Sequence, residues 1–545
     1  MKSVGDCNIA LALKGIADSF PEDVGLVSKK GDRYQSWTFG QLFANSCRFA
    51  SGLHDAGVLP DKRVILMVPP SMEFVCLTFA LFKLGAVVIL IDPGMGYKNL
   101  LRCIGRVRPD VLVGIPKANL FSRIFPKPFQ SIRTRVCVGP SFGVLGTSLK
   151  KLSRDKGKDT GTYDAAQDDL AAIIFTTGST GPPKGVQYTH GIFHAQLEII
   201  GNYYKIRPGD VDQPGFPLFA LFSTALGAKA VIPEMDPARP AKVDPAKFVQ
   251  SILDHKVTYS FGSPAIWNVV SRYCLEHNIV LPIRKILMAG APVPGELIQR
   301  VKNIMSEDGE IHTPYGATES LPIVSITGSE ILEQTWHKSR QGQGTCVGYP
   351  LPGMDIKTIR PVDGPIVSFS EAVELPVGEI GEIVVRGPVV TRSYDHNDEE
   401  NKVAKIADGE TFWHRMGDMG YFDDRGRLWF CGRKAHRVLA QDGVLYTVPC
   451  EAVFNEHPQV YRSALVGVGK SGEQKPVLIV ELGEGAVPSQ TLMDELCDLA
   501  GRNALTRAIN TFLVHPSFPV DIRHNAKIFR EKLAVWAADQ LCEDG

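Results

Sequence analysis

"AAIIFTTGSTGPPKGVQYTHG", residues 171–191, decides the fold. The run Ala171–Phe175 is uniformly apolar and short, the pattern of a strand buried on both faces. It stops before Thr176, and the nine residues 176–184 carry two glycines, two prolines, four hydroxyl side chains and Lys184. Such a loop offers backbone N–H groups, hydroxyls and one ammonium together, which is what a phosphate cradle requires. It is not a Walker loop, because Gly178 and Gly181 lead to Pro183-Lys184-Gly185 and not to Lys-Ser/Thr. It is not a dinucleotide GxGxxG turn either. Taken alone, the stretch is also compatible with a flexible surface loop.

The strand-then-turn grammar repeats in both directions. "RVILMVPP" (63–70), "AVVILID" (86–92) and "KILMAGAP" (285–292) are β-branched runs that end in turn residues and precede helical patterns. This alternation predicts parallel sheets covered by helices, an α/β architecture. "FVCLTFALFKLGAVVILID" (74–92) approaches membrane-spanning length, but Lys83 and Gly85 interrupt it. A helix through Leu84, a glycine stop and a buried strand fit it better than a span. From about Val373 the texture changes. "GEIGEIVVRGPVV" and "GDMGYFDDRGRLWFCGRK" read as short strands with tight Asp/Gly turns, an antiparallel, barrel-like module. A small α+β unit follows. The expected division is 1–434, a large N-terminal region of two α/β subdomains plus a distorted β-barrel, and 435–545, a small mobile C-terminal domain.

Composition excludes several classes. Lysine plus arginine and aspartate plus glutamate number 59 each, so the balance points neither to nucleic acid nor to a strongly anionic surface. Loops rich in Arg and Lys near 123–135 and 148–158 read as surface connections. The 11 cysteines are scattered without a CxxC pair, which argues against a zinc ribbon or a disulfide framework and for a reducing cytoplasm. The N-terminus lacks the apolar core of a signal peptide.

"TTGSTGPPKGV", "YGATE" (315–319), "HRMGDMG" (414–420), "GRK" (432–434) and "HNAKIFREKL" (524–533) occur in one order along the chain. In that order they resemble the signatures of the adenylate-forming superfamily, which includes acyl-CoA synthetases, adenylation domains and luciferases. The resemblance spans nearly the whole chain, from "WTFGQL" (37–42) to the last helix. It implies ATP and Mg²⁺ as cofactors and a carboxylic acid as substrate. On this reading Thr176, Thr177, Gly178, Ser179, Thr180, Gly181 and Lys184 hold the β- and γ-phosphates. Tyr315, followed by Gly316 and Ala317, stacks on adenine against Gly290, Ala291 and Pro292. Thr318 donates to the α-phosphate and Glu319 holds Mg²⁺. Asp418 accepts from the ribose hydroxyls with Arg433 assisting, and Lys527 bridges the carboxylate and the α-phosphate. The chemistry demands such cations, because two anions must meet.

Three positions depart from the superfamily pattern. Ala526 precedes Lys527 where glycine is usual, Ala435 stands at the usual Asp or Lys hinge, and Ala220 in "PLFALF" replaces a histidine of many acyl-CoA synthetases. Gly443 in "QDGVLYTVP" resembles the glycine beside the pantetheine tunnel, which keeps a CoA ligase as an alternative. "DPGMGYKNLL" (92–101), "FPLFALF" (216–222) and "PYGATESLPI" (314–323) resemble instead the β-lactone synthetases of bacterial long-chain olefin biosynthesis. That resemblance implies a 2-alkyl-3-hydroxy acid substrate. It also implies a possible assembly with the pathway's β-lactone decarboxylase and dehydrogenase. A non-catalytic nucleotide- or acyl-binding protein is the remaining alternative. The base for the hydroxyl is not specified; His190, His194 and His312 are candidates. The runs 216–227 and 257–270 are candidates for the acyl pocket.

Overall fold

A computed structural model describes residues 7–543 apart from 32, 155–159, 177–181, 217 and 521–526. The first sheet runs in the order Thr147–Ser148, Thr134–Cys137, Val111–Gly114, Arg63–Met67, Val87–Leu90, Leu170–Phe175, Gly185–Thr189. All its pairs are parallel except the last, where the quoted stretch folds back as a hairpin. A second sheet of seven strands is parallel from Glu310–His312 through Lys285–Met288, Tyr259–Gly262, Val211–Asp212 and Lys229–Val231 to Val24–Lys30. Arg33–Thr38 closes its edge antiparallel. Alternating strands and helices thus give two α/β units, as the patterning requires.

The segment 74–92 shows the local logic. Ser71 caps the helix Met72–Lys83 by accepting from Phe74 N at 3.2 Å. Gly85 then takes φ +68°, and a Cβ there would lie 2.5 Å from the ring of Tyr163, so no larger residue fits. Lys83 is buried and donates to Thr162 Oγ1 at 3.2 Å, which accounts for its place inside an apolar run. Among the described residues no helix is long and apolar enough to cross a membrane.

The third sheet is antiparallel and eight-stranded, built from the turn-rich segments between Tyr315 and Arg433. The antiparallel pairing expected from its Asp/Gly turns is present, but it begins at Tyr315, well before Val373. Near its last strand, Leu428–Arg433, a single carboxylate serves two cations. Glu382 accepts from Arg415 Nε at 3.0 Å and Nη2 at 2.7 Å, and from Lys434 Nζ at 2.9 Å, with Glu382 and Arg415 both buried. Beyond Lys434 the chain forms the hairpin Val438–Ala440/Gly443–Leu445. The strands Val460–Val468, Lys475–Leu482 and Phe512–Val514 follow with three helices, a compact α+β tail with its own core. The protein is therefore a large N-terminal region with a smaller C-terminal domain.

Candidate active site

The hairpin of the first sheet carries the glycine loop. Phe175 pairs with Gly185, and Thr176 N donates to the Lys184 carbonyl at 3.0 Å, so the loop is pinched at its neck. Thr177, Gly178, Ser179, Thr180 and Gly181 lie outside the described residues. Lys184 Nζ forms an ion pair with Glu400 and sits 5.2 Å from the centroid of the Tyr394 ring. Tyr394 is held there by its neighbour. Asp395 N donates to the Gly185 carbonyl at 2.7 Å, and the Asp395 carboxylate takes two bonds from Arg63, at 2.8 and 3.0 Å, and one from Gln187 at 3.0 Å. The first and third sheets are thereby clasped beside the loop.

Across this clasp stands the "YGATE" hairpin. Tyr315–Ala317 pairs with Ser320–Ser325, and a Cβ on Gly316 would lie 2.5 Å from the Ser320 carbonyl, so glycine is needed for the turn to close. The carbonyl of Thr318 accepts from the Tyr188 hydroxyl, and that of Glu319 from Thr391 N at 2.9 Å and Oγ1 at 3.0 Å. Glu319 Oε1 accepts from the Tyr394 hydroxyl at 2.8 Å. Backbone and side chain of Glu319 are thus both fixed, with Oε2 left as an acceptor. The ammonium of Lys405 donates to the Thr391 carbonyl. Burial pushes that amine down to about 7, with the charge of Glu319 opposing. The neighbouring imidazole of His414 is held well below its usual range by burial and by Lys405, so it stays neutral.

Tyr315 connects this hairpin to a third group. Its hydroxyl donates to Asp418 Oδ2 at 2.6 Å, while Arg433 Nη1 donates to Asp418 Oδ1 at 2.6 Å. Asp418 and Arg433 face each other in register on adjacent strands. Asp418 is buried, and its charge raises the Arg433 pKa while burial raises that of Tyr315. Each Asp418 oxygen accepts one bond and retains a further lone pair. Gly290, Ala291 and Pro292 form the turn after Lys285–Met288, with Gly290 at φ +99°. No hydrogen bond or ring contact among the described residues joins that turn to Tyr315. Lys527 is exposed, next to the Val520–Ile528 bridge and the helix Arg530–Glu543, whose Arg530 grips Glu451 of the same domain. Ala526 lies outside the described residues.

The structure therefore brings together Lys184, Thr318, Glu319, Tyr315, Asp418 and Arg433. Sequence reasoning missed Tyr188, Thr391, Tyr394, Glu400 and Lys405, the residues that hold them. One signal was available: Lys405 interrupts the apolar run "VAKIA" (403–407), where a solvated lysine is out of place. The three histidines fall elsewhere. His190 is fully buried with neither ring nitrogen bonded, and burial pushes it down to about 4. His194 lies 3.4 Å from Glu198 one helical turn on, and His312 packs edge-on against Tyr203 and Tyr204. None of them contacts Glu319 or Asp418.

The two apolar runs converge. Phe219 stacks on Phe261 with centroids 3.5 Å apart, and with Phe222, Leu226 and Tyr259 they enclose a small cavity. Asp212 sits in its wall, accepting from Ser223 Oγ at 2.5 Å, and burial pushes its carboxyl up to about 8. The native state thus holds a proton that the unfolded chain releases near pH 4, so Asp212 lowers stability increasingly as pH rises from about 4 to 8. Asp212→Asn is expected to melt higher than the parent at pH 8, with the gap largely closed at pH 5. Thermal melts at both pH values check this, and an unchanged gap refutes it.

Residues 13–395, which contain the glycine loop, Glu319 and the clasp, match the family described as AMP-binding enzyme. The chain belongs to that family. Along its length this AMP-binding enzyme is 44% identical over 551 residues to the olefin beta-lactone synthetase of Stenotrophomonas maltophilia (strain K279a), covering 98% of this chain and 99% of the relative. It is 43% identical to the olefin beta-lactone synthetase of Xanthomonas campestris pv. campestris, covering 98% of each. Among solved structures it resembles the o-succinylbenzoate coenzyme A synthetase of Bacillus subtilis in complex with ATP and magnesium ion. There the TM-score is 0.75 at 23% identity, over 96% of this chain and 98% of that one. The fold expected from the motifs is therefore the one present.

Proposed function

We propose that this AMP-binding enzyme uses ATP to adenylate the carboxylate of a long-chain 2-alkyl-3-hydroxy acid, with loss of pyrophosphate. The 3-hydroxyl then attacks the same carbonyl carbon, the bond to AMP breaks, and a β-lactone, AMP and a proton are produced. The observation that carries the first step is the joined constellation of Lys184, Glu319, Tyr315, Asp418 and Arg433. The second step is supported by the near full-length likeness to enzymes named olefin beta-lactone synthetase.

The residues suit their parts. Asp418, fixed by Tyr315 and Arg433, has acceptor capacity for two ribose hydroxyls. Lys184 is balanced by Glu400, and polyphosphate is a more highly charged anion for the same ammonium. Thr176 through Gly181 supply backbone and hydroxyl donors at the loop, and Thr318 supplies one at the α-phosphate. Ala317, Gly316 and Tyr315 form one wall for adenine, with Gly290 to Pro292 as the other. Among the described residues no three His, Cys, Asp or Glu side chains cluster as a metal cage. Glu319, with Oε2 available, fits an ion such as Mg²⁺ that takes one carboxylate and otherwise binds phosphate oxygens. When bound, that ion neutralises charge on the phosphates. Lys527 adds the ammonium that lets carboxylate and α-phosphate approach. We place the start of the C-terminal domain at Ala435 and infer that it moves to deliver Lys527.

The intramolecular second step needs no external thiol, because the nucleophile is already on the substrate. Incubation with ATP, Mg²⁺ and a 2-alkyl-3-hydroxy acid is expected to give lactone and AMP at equal rates with and without CoA. A product that forms only with CoA, as a thioester, makes the protein an acyl-CoA ligase. Absence of AMP from every acid offered removes the catalytic reading.

A further inference from the structure

The balanced charge of the whole chain conceals a strong local segregation. From Val111 to Arg154 there are eight lysines and arginines and no aspartate or glutamate. All of these cations except Arg135 are exposed. In a chain with equal numbers of each sign, a solvated surface normally mixes them.

The fold gathers this stretch at one edge of the first sheet. Pro116–Ile124 is the helix entering Thr134–Cys137, and Thr147–Ser148 is the outermost strand. Gly139 comes within 3.4 Å of Pro116 (measured from the position a Cβ would take), and Arg135 Nε donates to Ser122 Oγ at 3.4 Å. The loop 139–146 therefore lies beside the helix. The short helix Leu149–Leu152 that follows packs on the helix Phe39–Asp55, across the sheet from 116–124.

Large apolar side chains project among these cations. Phe142 is 77% exposed, Val144 63%, Ile124 61% and Leu120 50%. Leu120 and Ile124 lie one turn apart on one helix, with Lys117 and Arg123 beside them. Neither a core nor an ordinary solvated face explains bulky hydrocarbon interleaved with Lys117 and Arg123. The combination matches an anionic bilayer surface, where cations meet headgroups and apolar side chains enter the acyl boundary. Duplex nucleic acid would use the charge but leave Phe142, Val144 and Ile124 without a partner.

We infer that the surface formed by helix 116–124 and loop 139–146 docks on membranes containing anionic phospholipid. This inference is independent of whether the enzyme makes a lactone. Flotation of the full-length protein with vesicles of phosphatidylglycerol and phosphatidylethanolamine tests it, with phosphatidylcholine vesicles as reference. Binding to the anionic vesicles at low salt, weakened by high salt, is expected. Lys117→Glu with Arg123→Glu should weaken it about tenfold or more. Phe142→Ser with Val144→Ser should weaken it by about tenfold through lost burial. Pyrophosphate exchange in solution, unchanged in both variants, shows that they are folded. No binding to the anionic vesicles, equal binding to phosphatidylcholine, or parent-like binding by both variants overturns the inference. A salt-sensitive shift of duplex DNA lost only in the charge variant, without vesicle binding, assigns the surface to nucleic acid instead.

Discussion

Lys527→Ala is expected to lose acid-dependent exchange of pyrophosphate into ATP by about 10²–10³-fold or more, the scale on which removing a charge-stabilising donor from a reacting centre acts. Its thermal stability should stay within about 0.5 kcal/mol of the parent, because an exposed lysine contributes little to folding. The contrast separates the proposed role from a structural one. Arg530, three residues on, is committed to Glu451 inside the C-terminal domain and fixes the helix that follows. Lys527 stands exposed before that helix. Hydrolysis of a supplied acyl-adenylate offers a second readout, since that step needs no meeting of two anions. A variant that exchanges pyrophosphate at the parental rate defeats the assignment.

Glu319→Gln is the second large effect, again about 10²–10³-fold on adenylation. Glutamine preserves the backbone bonds from Thr391, and its carbonyl oxygen can accept from Tyr394, so the hairpin should remain in place. What is lost is the negative charge. The requirement for Mg²⁺ should therefore rise, and titration of exchange activity against Mg²⁺ at fixed ATP reads this directly. Activity and metal dependence like the parent's would mean that Glu319 acts only by structure. Because Tyr394 and Lys184 share one neighbourhood, the nucleotide contacts should be tested separately by equilibrium binding of ATP without metal.

Local pattern made the two α/β units legible. The strands at 63, 87, 170 and 285 each begin within one or two residues of an apolar run, since burial on both faces leaves a continuous hydrophobic signature. The site was legible where a motif is contiguous: "YGATE" carries Tyr315, Thr318 and Glu319 in five residues. Its supports were not, because they come from distant segments. Tyr394 reaches Glu319 across 75 positions and Arg63 reaches Asp395 across 332, and no local rule announces either pair. The charge segregation at 111–154 was visible as separate basic loops, but only the fold shows that helix 116–124, with Lys117 and Arg123, lies beside the loop that carries Phe142.

The shared carboxylate of Glu382 would constrain any swing of the proposed mobile tail. Lys434 cannot leave it without giving up its ion pair with Glu382 and its bond to the Val362 carbonyl, while Arg415 stays to balance the carboxylate. Any swivel must therefore take up its torsion after that anchor, beginning at Ala435, whose methyl group has no such tether. Electrostatics, more than chain flexibility, would then set the axle of the movement.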